Sequence, residues 1–123
     1  MKLRVGIYIS GEAFDPYAFN NDLPVSLRGI AEQHKNNKTY YWSSAELVVL
    51  ENTYAEDSLY DLILKYGEHL TYLSDCTDIK KYAFIYGYVK DAVDLHGFFI
   101  NKKLLKICND LALEIDIGLC QQD

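Results

Sequence analysis

Glycine is present but never clustered, cysteine is present but never paired, and no apolar stretch is long. Each absence removes a class of function. The seven glycines, at positions 6, 11, 29, 67, 87, 97 and 118, are scattered along the chain. A phosphate-cradling loop needs them grouped just ahead of a helix. The three cysteines, Cys76, Cys108 and Cys120, are odd in number and far apart, so they form neither a disulfide framework nor a zinc knuckle. No apolar run approaches the roughly 20 residues of a membrane-spanning helix. The opening Met1-Lys2-Leu3-Arg4-Val5-Gly6 lacks the apolar core and small-residue cleavage site of a secretory leader and reads as a first strand. A reducing, cytoplasmic setting is expected.

Catalytic and metal-binding patterns are missing too. His34, His69 and His96 fall at no spacing that suits a metal-binding helix or a short zinc loop. Asp91, Asp94 and His96 could in principle share a cation, but a solvated turn accounts for them more simply. Ser10-Gly11 and Ser43-Ser44 lack a nucleophile elbow. Cys108 falls on an apolar helix face, where a thiol packs as a small core residue. Cys76 and Cys120 have no cationic sequence neighbour to favour thiolate. The expectation is no catalytic residue, no metal and no cofactor, and so no enzyme. Positive charge is also short: 12 basic against 18 acidic residues give a formal charge of −6. That balance disfavours nucleic acid and anionic membranes, and it speeds encounter with a basic partner.

What remains is a chain of 123 residues, half of them apolar, with 11 tyrosines. The length suits one domain spanning residues 1–123, able to bury roughly two-thirds of its unfolded surface. Tyrosine joins an apolar ring to a polar tip, so an excess of it suits surfaces that are partly wet and partly buried.

Hydrophobic periodicity gives the elements. Leu3, Val5, Ile7 and Ile9 alternate with Arg4, Gly6, Tyr8 and Ser10, the period of a half-buried strand. Asp15-Pro16 starts a short helix, the carboxylate capping free N–H groups and proline fitting the first turn. Leu27 and Ile30 hint at a short strand, and residues 33–38 read as a polar loop. Tyr40, Tyr41 and Trp42 suit a strand, continuing or restarting through residues 47–50. Thr53-Tyr54-Ala55-Glu56 has the form of a capping box, ahead of a helix whose apolar stripe is Leu59, Leu62, Ile63, Tyr66, Leu70 and Leu73. In residues 81–90, Ala83, Ile85, Gly87 and Val89 share one face, and Tyr82, Phe84, Tyr86 and Tyr88 the other. Residues 91–97 make a turn or loop, and 98–100 a short paired strand. Asn101 caps a last helix with Leu104, Leu105, Cys108, Leu111 and Ala112 on one face. The closing strand puts Leu113, Ile115, Ile117 and Leu119 opposite Glu114, Asp116, Gly118 and Cys120. This order predicts a single two-layer α+β domain: a mainly antiparallel sheet of about five strands with helices packed on one face.

Several short motifs resemble the bacterial domain-of-unknown-function family 4279. They are Gly11-Glu12-Ala13-Phe14-Asp15-Pro16, Leu23-Pro24 with Arg28-Gly29, and Trp42. Near the end they are Gly97-Phe98-Phe99-Ile100, the Leu104-Leu105 helix and residues 113–117. Val25 stands where that family's pattern has threonine or serine, and Ile30 where it has an acidic residue. The resemblance implies a compact bacterial α+β domain and supplies no activity, cofactor or site residue.

The constellation that carries a functional expectation is a sheet face. With the aliphatic sides of the strands against the helices, the opposite sides collect Arg4, Tyr8, Tyr82, Phe84, Tyr86, Tyr88, Glu114 and Asp116. Such a face could stack bases, but its carboxylates would repel phosphates. A protein partner fits better, because tyrosines anchor interfaces and acids complement a basic surface. Further chain could instead cover the face and make it a second core. The expected contact residues are Tyr82, Tyr86, Tyr88, Glu114 and Asp116. The expected function is a small acidic binding domain, most concretely an immunity protein that neutralises a basic bacterial toxin, with a nuclease as the leading case. The alternative is a small-ligand-binding or regulatory domain without catalysis, using an aromatic pocket.

Overall fold

The structure, a computed structural model, describes residues 2–12, 14–17, 27–49, 54–74, 78–91 and 100–121. Its elements in chain order are β1 (Lys2–Gly11), β2 (Arg28–Lys35), β3 (Lys38–Val49), α1 (Ala55–Ser74), β4 (Ile79–Val89), α2 (Lys102–Asp110) and β5 (Glu114–Gln121). The strands form one open sheet in the order β2-β3-β1-β4-β5. Neighbours run antiparallel, except β4 and β5, which are parallel and have α2 in the connection between them. This is the α+β architecture that the periodicity predicts.

Register explains which residues enter the core. Leu3 pairs with Gly87, Val5 with Ile85 and Ile7 with Ala83, so the small and aliphatic positions of the two central strands share a face. That face packs against Leu59, Leu62, Ile63, Tyr66 and Leu70 of α1 and Leu104 and Cys108 of α2, all buried in one cluster. The stripe of α1 falls where its three- and four-residue spacing places it; the side chain of Leu73 lies outside the described residues. Both helices thus cover the same side of the sheet.

One cation sits inside this layer. Lys81 follows the strand alternation onto the helix-covered face, where it is buried, and its ammonium donates to the carbonyl of Leu70 at 3.0 Å. The last turn of α1 has no basic residue of its own, so Lys81 supplies the positive charge that a helix C-terminus favours.

The polar stretch read as a loop over residues 33–38 is instead the tip of a hairpin. Asn36 and Asn37 both adopt left-handed backbone, with φ of 55° and 62°, and Lys35 pairs with Lys38 on either side. Two consecutive left-handed residues make the turn whose twist matches that of the strands it joins. Asparagine tolerates that conformation because its short amide bonds locally.

The caps are partly as expected. Asp15 accepts a hydrogen bond from the backbone N–H of Tyr17 at 3.0 Å, and residues 16–17 are helical. The extent of that helix lies outside the described residues, as do residues 92–99, which hold most of the loop and short strand expected up to residue 100; Ile100 itself is described and lies in no strand. Asn101 caps α2 by accepting from the Leu104 N–H at 2.9 Å. Thr53 of the expected capping box also lies outside; the first described bond of α1 runs from the Ser58 N–H to the Tyr54 carbonyl. On α2 the apolar face is narrower than its sequence suggests. Leu105 is half exposed, and Ala112 lies beyond the helix end with φ of 54°. Ile107 packs against the core instead.

Candidate interaction face

The side of the sheet away from the helices carries the unusual chemistry. Pairing places Tyr8 beside Tyr82, Gly6 beside Phe84 and Arg4 beside Tyr86. It also places Glu114 beside Tyr82, Asp116 beside Phe84 and Gly118 beside Tyr86. All five predicted contact residues therefore share one face. Tyr82, Tyr86 and Tyr88 are half-buried, whereas Glu114 and Asp116 are exposed.

The rings lie in layers. Tyr8 and Tyr82 stack at 4.9 Å with an interplanar angle of 22°, and Phe84 and Tyr86 stack at 4.7 Å and 17°. Phe84 is buried, the one respect in which this face resembles a second core; Tyr8, Tyr82, Tyr86 and Tyr88 keep part of their surface open. Gly118 lets the Tyr86 ring lie close to β5: a Cβ at that position would stand 3.2 Å from Tyr86 Cδ1. So placed, the Tyr86 hydroxyl donates to Asp116 Oδ2 at 2.7 Å. Burial, and then this bond, push the Tyr86 phenol well above its ordinary range. Burial also raises Tyr8, helped by the neighbouring Tyr82 phenol and opposed by a hydrogen bond with Ser10. At the far end, Arg4 Nη1 donates to the Tyr88 hydroxyl at 3.0 Å, with the guanidinium 5.9 Å from the ring centre.

The electrostatics of the five residues are not uniform. Asp116 is engaged by Tyr86, while the side chain of Glu114 makes no hydrogen bond or ion pair among the described residues. Lys80, Tyr82, Glu114 and Asp116 border a shallow hollow of about 290 Å³. Among the described residues β5 is one of the two edges of the sheet. Its Ile117 and Leu119 point to the helix-covered side yet remain 48% and 55% exposed. The edge thus offers carboxylates on one side and aliphatic surface on the other.

The sequence reading missed the other half of this face. Ser10 pairs with Trp42, and Gln33 with Tyr40, so β2 and β3 extend the aromatic surface beyond β1. A larger hollow of about 590 Å³ lies there, bordered by Tyr8, Tyr40, Trp42, Lys35, Lys80 and Asp78 among others. Treating residues 33–38 as a loop hid it. The available signal was the Asn36-Asn37 pair itself, two residues that tolerate the left-handed backbone of a tight hairpin turn.

The remaining candidates resolve unequally. Cys108 is buried, and burial pushes its thiol up to about 11; Cys120 is exposed. Cys76, Asp94 and His96 lie outside the described residues. Among the described residues, no three histidine, cysteine, aspartate or glutamate side chains gather around a common point. No helix among them is long and apolar enough to cross a membrane. No protein-family profile, curated protein or solved structure matches the chain.

Proposed function

We propose that the chain is a protein-binding domain that engages a basic partner through the β4–β5 half of its open face. The observation that carries this reading is the placement of Tyr82, Tyr86 and Tyr88, each half-buried, beside the exposed carboxylates Glu114 and Asp116 on an edge strand. Half-buried tyrosines present large apolar area at low cost in conformational freedom, which is why they serve as anchors. The formal charge of −6 favours a basic partner over an acidic one. Our concrete version is a cytoplasmic antidote of bacterial origin, an immunity protein that neutralises a toxin domain such as a nuclease by covering its active site or substrate groove. The resemblance to domain-of-unknown-function family 4279 is compatible with this and adds no activity.

The test is affinity capture with the purified chain, followed by kinetics on what is captured. A basic protein domain should be retained by the wild type. Tyr86→Ala should weaken it by at least about 1–2 kcal/mol, mostly through faster dissociation. Wild-type dissociation from a folded Tyr86→Ala variant would move the interface elsewhere, with the acidic side of α1 at Glu56, Asp57 and Asp61 next in line.

A further inference from the structure

The hollow at the β2–β3–β1 end of the open face differs in charge from the β5 end. Lys35 and Lys80 both border it, both are exposed, and neither side chain forms an ion pair or hydrogen bond among the described residues. Lys38 is engaged with Glu12 at 3.4 Å, Lys106 with Asp110 at 2.8 Å and Lys81 with the Leu70 carbonyl; Lys2, Lys65, Lys90 and Lys102 are without side-chain partners among the described residues, but none of them borders this hollow. Two ammonium groups without ion-pair partners beside one hollow can meet an anionic ligand, although Asp78 also borders it.

The rest of the lining is aromatic. Tyr8, Tyr40 and Trp42 are half-buried and border the hollow, with Tyr8 already stacked on Tyr82. Flat faces of this kind stack flat ligands. The wall is fixed by a close approach of two strands. Gly11 has φ of 153°, and a Cβ there would collide with the Asp78 carbonyl oxygen. Only glycine allows the end of β1 to run so near the start of β4, which carries Asp78 and Lys80 to the hollow. The cavity, about 590 Å³, lies within the range of small-molecule sites.

We propose that this hollow binds a nucleoside monophosphate, with the base stacked on Trp42 and its aromatic neighbours and the phosphate held by Lys35 and Lys80. A phosphate monoester carries about −1.5 to −2 charge at neutral pH, which two ammonium groups match better than the single charge of a carboxylate. Asp78 can accept hydrogen bonds from sugar hydroxyls. A longer nucleic acid is disfavoured, because the face continues past Tyr82 to Glu114 and Asp116, which repel further phosphates. The site adjoins the β4–β5 contact surface, with Lys80 bordering both hollows, and does not depend on that surface's role.

Trp42 is the sole tryptophan of the chain, so its fluorescence reports on the site directly. Titration with AMP, GMP, CMP and UMP should give saturable quenching by at least one of them. Adenosine, lacking the phosphate, and ribose 5-phosphate, lacking the base, should bind more weakly than AMP if AMP is the ligand, with the matching pairs for the other bases. Lys35→Ala and Lys80→Ala should each weaken nucleotide binding about tenfold and leave nucleoside binding unchanged. Both positions are exposed, so the variants should fold; circular dichroism and calorimetric titration check folding and binding without relying on the fluorophore. Absence of saturable binding by all four nucleotides at millimolar concentration would overturn the proposal. Equal affinity in the lysine variants would also overturn it, as would benzoate binding as tightly as the nucleotide, which would make the hollow a site for aromatic carboxylates.

Discussion

The Tyr86 hydroxyl donates to Asp116 across the parallel strand pair β4–β5, at 2.7 Å. The bond ties the edge strand β5 to its neighbour through side chains as well as backbone. It also requires the Tyr86 proton, which the folded protein holds more tightly than an unfolded chain does. The stabilisation is therefore complete below the ordinary phenol range, near pH 10, and declines as pH rises above it toward the higher folded value. Urea unfolding followed between about pH 9 and about pH 11 should show stability falling with pH. Tyr86→Phe, with no proton to lose, should fall less steeply, and at neutral pH it should cost no more than about 1 kcal/mol because the exposed carboxylate can turn to water. Equal slopes for the two proteins would mean that the bond does not persist in solution.

Leu62 is fully buried beneath α1 in the cluster that also holds Val5, Ile7 and Ile85. Leu62→Ala should cost about 2–5 kcal/mol, the transfer energy of the lost side chain plus the cavity it leaves. Chemical denaturation measures this, and a cost below about 1 kcal/mol would mean that the helix is not seated on the sheet as described.

The two described thiols should separate by reactivity. Thiolate is the reacting species, and Cys108 is both buried and pushed up to about 11 from an ordinary 9.0. With a chromogenic disulfide at neutral pH, Cys120→Ser should remove one equivalent from the fast phase, and Cys108→Ser should remove none. Loss of a fast equivalent in Cys108→Ser would show that α2 opens readily.

Charge at the edge should govern how fast a partner arrives. The Glu114 side chain is exposed and makes no bond among the described residues, so Glu114→Lys should slow association and leave dissociation nearly unchanged. The effect should shrink in high salt, where screening shortens the reach of charge. Stopped-flow or surface-binding kinetics at two salt concentrations would read it. A salt-independent change confined to dissociation would make Glu114 a buried contact and not a rim charge.

How much of this was legible in the sequence depended on whether burial fell on one side of an element. β1, β4 and α1 have clean alternation or a clean stripe, because one side of each meets the core. Their faces were readable residue by residue, down to Tyr82, Tyr86 and Tyr88 lying together. Where both sides of a strand are polar, as along Gln33 to Lys38, period two carries no contrast and a hairpin looks like a loop. The turn itself was coded by Asn36-Asn37 rather than by a glycine pair. Lys81 was obscured for the opposite reason: the alternation placed it inside, but its partner is a backbone carbonyl on α1, which no side-chain pattern records. The Tyr86–Asp116 bond joins residues far apart in sequence, so only the parallel register of β4 and β5 brings it into view.

The central position of β1 has a consequence for how the chain acquires its shape. The strand nearest the beginning of the chain is flanked by β3 and β4, and Leu3 takes Val49 and Gly87 as its neighbours. During synthesis both of its hydrogen-bonding edges must wait, one for residues some forty positions later and the other for residues some eighty positions later. Until then an aliphatic strand is open on two edges, the condition under which nascent chains pair wrongly with one another. Non-local pairing of this kind is slow to form. The β2–β3 hairpin, whose contacts are local and whose turn is set by two adjacent asparagines, is the natural first piece of sheet to assemble, and it offers β1 its first docking edge before β4 has been made.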